Sequence, residues 1–191
     1  MNRKALLYAG VLLLAVSLLG LIQSARAGVA QQLYRVSKFS NTAEPLGRTL
    51  KNCYTAHTLY PYNYYYSIFA AKKAYGRWLS SKNEKHYGIS EYWCKEAYAA
   101  NPYNREVREL TTRLLAKKSP DLAVESWKIY LDWDFWNPYN HAVMAEMHAK
   151  AGNFSLAVAS LEWIRGTKYY EPARSKVMEE WDYCRVIKAD K

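Results

Sequence analysis

Asn137-Pro138-Tyr139-Asn140 repeats, residue for residue, the tetrapeptide Asn101-Pro102-Tyr103-Asn104 that stands 36 positions earlier, and Tyr60-Pro61-Tyr62-Asn63 is a close third copy. Another proline follows at Pro172, and Pro61, Pro102, Pro138 and Pro172 lie 41, 36 and 34 residues apart. A period of that size marks a chain built from small stacked units, each in contact mainly with its neighbours. Two other matches do not involve the tetrapeptide. Leu122-Ala123-Val124-Glu125-Ser126 resembles Leu156-Ala157-Val158-Ala159-Ser160 at an offset of 34, and Cys53, Ala56 and Pro61 match Cys94, Ala97 and Pro102 at an offset of 41.

Between these marks the apolar residues recur with a helical period. Ser119-Pro120 has the form of a helix start, with serine as N-cap and proline in the first turn. Leu122, Val124, Trp127, Ile129, Tyr130 and Leu131 then supply apolar faces. Pro172, after Glu171, opens a last helix in which Val177, Trp181 and Cys184 recur every three to four residues. Its Glu179, Glu180 and Arg185 suit an exposed outer side, as the end of a stacked array requires. No run alternates with period two, so the expected fold class is all-α.

The repeat resembles the tetratricopeptide repeat, a helix–turn–helix unit of 34 residues. The resemblance runs from about Ala43 to Lys188 and is best from Asn140 to Trp163. There Ala145 matches the small position of the first helix, Gly152-Asn153-Phe154 the turn, and Ala157 the small position of the second helix. Ala123 takes that role in the preceding unit, and Ala97 and Pro102 match the closing alanine and proline of the unit before it. The family places small residues where two helix backbones cross closely. Three departures stand out. Lys85-His86-Tyr87-Gly88 is expected in a lengthened inter-helix turn, Trp133 occupies the position held by Ala97 one unit earlier, and the segment from Pro138 to Gly152 is short for a first helix. The resemblance implies a right-handed α-solenoid whose first helices line a partner-binding groove. By alignment of the turns, Arg105, Arg108 and Thr112 match Tyr139, Ala142 and Glu146, and Lys150 lies one turn beyond. The implied groove residues are therefore Arg105, Arg108, Thr112, Ala142, Glu146 and Lys150. Arg105 and Arg108 suit a carboxylate or an acidic segment. The plainer alternative is a solvated charged face shared with Glu106 and Glu109.

Ahead of the repeats, Arg3 and Lys4 precede an apolar run from Ala5 to Ile22 broken only by Ser17. Eighteen residues at 1.5 Å each span about 27 Å, close to the hydrocarbon thickness of a bilayer. The run fits a transmembrane anchor. With Ala25-Arg26-Ala27 behind it, it also fits a cleavable signal peptide, although it exceeds the usual 7–15 residues of a signal core. The expected organisation is an anchor or signal at 1–27, a basic juxtamembrane linker or helix at 28–42, and a repeat domain with a C-terminal capping helix at 43–191. A short tail inside and an exported domain, periplasmic in a bacterium, is the default orientation, although Arg26, Arg35 and Lys38 nearly balance the charges before the run.

The net charge of +10 is uneven. Residues 1–82 hold eleven Lys and Arg and one acid, Glu44, while residues 83–191 hold sixteen of each sign. Excess cation beside the apolar segment points to anionic lipid headgroups near residues 26–82 rather than to nucleic acid. Eighteen Tyr and seven Trp exclude a low-complexity disordered chain. Tyr62, Tyr64, Tyr65 and Tyr66, next to Tyr60, form the densest aromatic cluster. They fit packing between repeats, a protein or glycan contact, or a membrane interface.

Little else suggests chemistry. Cys53, Cys94 and Cys184 make no Cys-x-x-Cys motif, and the first two, at equivalent repeat positions, are expected as small core residues. His141 and His148 are seven residues apart, not the four that suit a helical metal site, and His57 and His86 have no evident partner. No cofactor, metal or catalytic pair is expected. The reading is a membrane-anchored interaction scaffold or accessory subunit of an envelope complex, with a permanent structural subunit of a larger membrane enzyme or electron-transfer assembly as the alternative.

Overall fold

The computed structural model of the chain describes residues 3–39 and 45–189. The end of the expected linker (40–42) and the start of the expected repeat domain (Ala43, Glu44) lie outside the described residues. Every regular element among the described residues is an α-helix: α1 (Arg3–Phe39), α2 (Leu46–Leu59), α3 (Tyr64–Ser81), α4 (Glu84–Ala100), α5 (Arg105–Lys118), α6 (Pro120–Trp133), α7 (Pro138–Lys150), α8 (Phe154–Glu162) and α9 (Tyr170–Ala189). They fall into two compact units, residues 1–101 and 102–191. Within each, consecutive helices pack on one another: α1 on α2, α2 on α3 and α3 on α4 in the first; α5 on α6, α6 on α7, α7 on α8, and α9 on both α7 and α8 in the second.

The small residues occupy the helix crossings. Ala56, Ala97, Ala123, Ala145 and Ala157 are all fully buried, as are Ala70, Ala71 and Ala74 along α3. With no side chain beyond Cβ, two backbones approach until a hydroxyl bridges them: Ser90 Oγ of α4 donates to the Ala71 carbonyl of α3 at 2.9 Å. Cys53 and Cys94 are buried thiols at equivalent places on α2 and α4. Larger residues fill the space between crossings. Trp127, fully buried, donates its indole N–H to the Asn140 carbonyl at 2.9 Å and packs with Leu131, Val143 and Met147.

The expected long turn at Lys85–Gly88 is not a turn. Those residues form the first turns of α4, and the connection is only Lys82 and Asn83. Asn83 Oδ1 caps α4 by accepting from Lys85 N at 2.9 Å, while Lys82 takes the left-handed conformation (φ 54°) that ends α3. Burial of Tyr87 against Trp78, centroids 5.3 Å apart, holds the segment helical. The extra residues of this unit lie in its helices, 18 and 17 residues long against 14 and 14 for α5 and α6.

The three tetrapeptides sit at helix starts, but not in one register. Asn63 caps α3 and Asn104 caps α5, each the last residue of its motif. In the third copy the cap is the first residue, Asn137, and α7 begins three residues early with Pro138 at its first position. Asp134 makes the difference. Its carboxylate accepts from Asn137 Nδ2 at 3.0 Å and from Asn140 Nδ2 at 3.1 Å, and its carbonyl accepts from Asn140 Nδ2 at 2.8 Å. This pulls Asn140 into the core. The corresponding positions before the other copies hold His57 and Tyr98. Trp133, aligned with Ala97 by the proline spacing, is 77% exposed, and Leu131 packs inward instead. Gly152 supplies the positive φ (76°) that closes α7, and Asn153 N donates to the His148 carbonyl at 2.9 Å.

α1 runs unbroken past residue 27, so residues 28–39 take the helical one of the two forms expected there, continuous with the apolar run. Residues 7–39 are long and apolar enough to cross a membrane. Its C-terminal end belongs to the first unit: Ala30 and Tyr34 are buried with Ala56 of α2 and Tyr66 of α3, and Ser37 Oγ accepts from Asn52 Nδ2 at 2.9 Å.

If close crossing sets this fold, enlarging a crossing residue costs stability and enlarging an exposed one does not. Ala145→Leu is expected to lower the unfolding free energy by about 1–3 kcal/mol in a denaturant titration. Ala159→Leu, on the exposed side of α8, is expected to change it by less than about 0.5 kcal/mol.

Candidate interaction face

The residues expected to line a groove lie on α5 and α7, and the structure treats them unequally. Arg105 is exposed, its guanidinium 5.1 Å from the centre of the Tyr139 ring. Arg108 is half-buried and donates from Nε to the Pro102 carbonyl at 2.7 Å. Both lie close enough to Tyr130 to counter the effects of burial and of Asp134, which together raise its phenol. Thr112 is buried, and its hydroxyl finds no partner among the described residues. Ala142 is half-buried against the cluster around Ala145 and Ile164. Thr112 and Ala142 are thus packing residues in this conformation, because the helix face expected to be open is covered.

Glu146 also lies inside, as the centre of an ion network across three helices. Arg113 of α5 donates from Nη1 to Glu146 Oε1, and Lys176 of α9 meets Glu146 Oε2 at 2.9 Å. Arg113 also donates from Nε to Glu109 Oε1 at 3.0 Å. Lys150, expected to face a ligand, pairs with Glu180 of α9 at 3.3 Å. Burial opposes the charge on Glu146, but Arg113 and Lys176 more than offset it and hold the carboxyl below its ordinary 4.5. Burial likewise opposes the Arg113 cation, and Glu146 and Glu109 overcome it and raise its pKa. Tyr139 is raised by burial first and by Glu109 second. Arg113 and Lys176 escape sequence reading; Glu109 is read there only as part of a solvated face, and Glu180 as an exposed outer residue, whereas it is half-buried against Lys150. One signal was available: Thr112, Glu146 and Glu180 are spaced by 34, so Glu180 is the third member of a series already in hand.

The tyrosine cluster divides. Tyr62 is 83% exposed and meets Tyr60 edge-on, and Tyr65 is exposed and stacked on half-buried Tyr64 at 4.2 Å. Tyr66 is a core residue, 1% exposed and 5.4 Å from the Tyr34 ring, so it does not belong to a contact surface. Helical periodicity separates it from its neighbours, since Tyr65 and Tyr66 point about 100° apart.

A larger aromatic edge lies in the second unit, where sequence reading placed none. Trp133 at the end of α6, Trp136 in the following turn (85% exposed) and Trp163 after α8 are all at the surface. Phe135 joins the last two, meeting Trp136 at 5.5 Å and Trp163 at 4.9 Å, while Trp133 meets the Tyr130 ring at 5.7 Å. His141 stacks on Trp163 at 5.4 Å, and its Nε2 contacts the Phe135 carbonyl at 2.8 Å, which fixes the edge to α7.

Two further histidines have structural settings. His57 Nδ1 lies 3.3 Å from Ser67 Oγ and its Nε2 3.4 Å from Glu96, joining α2, α3 and α4. Ser67 is buried, so the pair presents no oxygen to solvent. His148 is lowered by burial. Among the described residues no three His, Cys, Asp or Glu side chains come together to hold a metal. No protein-family model matches the chain, and no curated protein matches it.

Removing the Glu146 carboxylate leaves Arg113 with Glu109 alone and takes the buried partner from Lys176, so Glu146→Ala is expected to cost about 3 kcal/mol, the lower end for a broken buried pair, in chemical denaturation. Because the folded-state pKa of Glu146 is depressed, its stabilisation is present above the ordinary carboxylate value and is lost as the pH falls through the folded value. Denaturation midpoints of the native chain should therefore fall between about pH 5 and pH 3 more steeply than those of Glu146→Gln. Equal slopes would show that the network does not carry this term.

Proposed function

We propose that this chain is a divergent protein of the tetratricopeptide type that works as a membrane-tethered interaction scaffold, an accessory subunit of an envelope complex. The observation that carries the reading is the union of two features in one helix. The apolar run and the helix that packs with Ala56 and Tyr66 are both α1, so a segment able to cross a membrane is built into the first helical unit. On this reading the outer end of α1 serves as the first helix of a pair completed by α2, in the relation of α3 to α4. The buried small positions and the tetrapeptides at helix starts support the repeat assignment.

The proposed setting is a single-pass anchor with the helical domain on the extracytoplasmic side, periplasmic in a bacterium. Arg26, Arg35 and Lys38, all exposed on α1, would lie at the headgroups of anionic lipids. The partner would be a protein segment. Its seat would be the exposed indoles of the second unit, Trp133, Trp136 and Trp163, rather than the face centred on Glu146, whose charges are already engaged. Exposed tryptophans of this kind contribute large contact energies once desolvated.

That aromatic edge also favours a second reading, a permanent subunit of a larger membrane assembly in which the indoles are never exposed to water. Salt separates the two. An association held by charged rims weakens at moderate ionic strength, whereas a buried apolar interface survives it.

The test is affinity purification of the full chain from detergent extracts, with protease protection of intact cells or spheroplasts to fix the side of the membrane. A stoichiometric protein partner is expected, lost on Trp133→Ala/Trp136→Ala while thermal unfolding stays within about 1 °C of the native chain, since both side chains are exposed. A chain that purifies alone from its native membrane would remove the scaffold reading.

A further inference from the structure

α9 buries Ala173 and Val177 against α7 and α8 and ties Glu180 to Lys150. Another face of the same helix is open. Glu171, Arg174, Met178, Asp182 and Arg185 are all exposed and fall within about 80° of arc on a helix of 3.6 residues per turn. Trp181, 41% exposed, borders this face. Beside it a groove between α8 and α9 is floored by Val158, Leu161, Met178 and Trp181. Glu179 and Arg185, expected on the outer side, are exposed, and Met178 with Trp181 leaves an apolar centre between the charges of this face.

The order of those charges identifies what covers the face. From the N-terminal end it reads acid, base, methionine, acid, base, with Met178 midway between Arg174 and Asp182 and midway between Glu171 and Arg185. Laid antiparallel on a copy of itself about a two-fold axis at Met178, the helix brings Glu171 opposite the partner's Arg185 and Arg174 opposite the partner's Asp182. Each end then holds a four-charge cluster with two of each sign, and the methionines meet in the middle. A parallel, in-register pairing would set acid against acid and base against base. A two-fold interface must be self-complementary in this way, and an unrelated surface helix has no reason to be. Within one chain the face makes only weak use of its charges: Arg174 Nη1 reaches Glu171 at 3.4 Å with both side chains largely exposed.

We propose that α9 is a homodimerisation helix that pairs antiparallel with α9 of a second copy about a two-fold axis at Met178. The contact is one helix against another with the α8 groove alongside, smaller than a standard interface, so the dimer exchanges rather than being permanent.

The proposal is tested on the full chain in detergent micelles by sedimentation velocity across a concentration series, with circular dichroism confirming that each variant is folded. The native chain is expected to dimerise reversibly. Arg174→Glu alone and Asp182→Arg alone each place like charges opposite one another at both ends and should weaken dimerisation by about tenfold or more. Arg174→Glu combined with Asp182→Arg restores opposite signs and should return the association to within about threefold of native. In a Cys184→Ser background, Met178→Cys sits on the axis and should form an intermolecular disulfide under mild oxidation. A monomer at every concentration would overturn the proposal, as would a dimer indifferent to the single reversals, which would place the contact elsewhere. A double variant as weak as the singles, or a Met178→Cys chain that does not cross-link, would overturn it too.

Discussion

The structure depends on how closely its helix backbones approach at a few alanines. Ala56, Ala97, Ala123, Ala145 and Ala157 are fully buried at successive crossings, and Ala70, Ala71 and Ala74 extend the same contact along α3. A helix pair this small cannot enclose a core of its own, so its apolar side must be covered by the next helix in the chain. Close crossing makes that coverage efficient, and the large rings divide around it. Tyr34, Tyr66, Tyr87, Trp93, Trp127 and Tyr130 are buried, while Trp133, Trp136, Trp163, Tyr62 and Tyr103 stay outside.

The charged network at Glu146 has a different character. Arg113, Glu146 and Lys176 come from α5, α7 and α9, so a single carboxylate links three helices of the second unit. Burying these charges carries a desolvation penalty that roughly cancels their attraction. Their contribution is therefore better described as fixing one arrangement of the three helices than as adding net stability. The same engagement occupies Glu146, and with Thr112 buried and Ala142 half-buried against its neighbours, Arg105 and Lys150 are the exposed residues of the expected groove and Arg108 is half-buried.

α1 gives the first unit a feature that the repeat by itself does not require. Between the apolar run and the buried Tyr34 there is no break in the helix and no residue outside helical geometry. A linker of irregular residues would let the helical unit tumble independently of that run. A continuous helix fixes its direction relative to α2 and α3 through Ala30, Tyr34 and the bond from Asn52 to Ser37.

Sequence alone determined the features that depend on near neighbours. The helical class, the crossing alanines, the turn at Gly152, the start of α6 at Pro120 and the apolar length of α1 were all legible, because propensity, capping and periodicity act within a few residues. Tertiary structure decided whatever depended on a contact across the fold. The third tetrapeptide takes another register because Asp134 pulls Asn140 inward, and Lys85–Gly88 is helical because Tyr87 finds Trp78. Tyr66 leaves its neighbours for the core because Tyr34 waits there, and Glu146 is buried because α9 brings Lys176. In each case the outcome rests on a partner outside the helix concerned, which propensity, capping and periodicity within a few residues do not reveal.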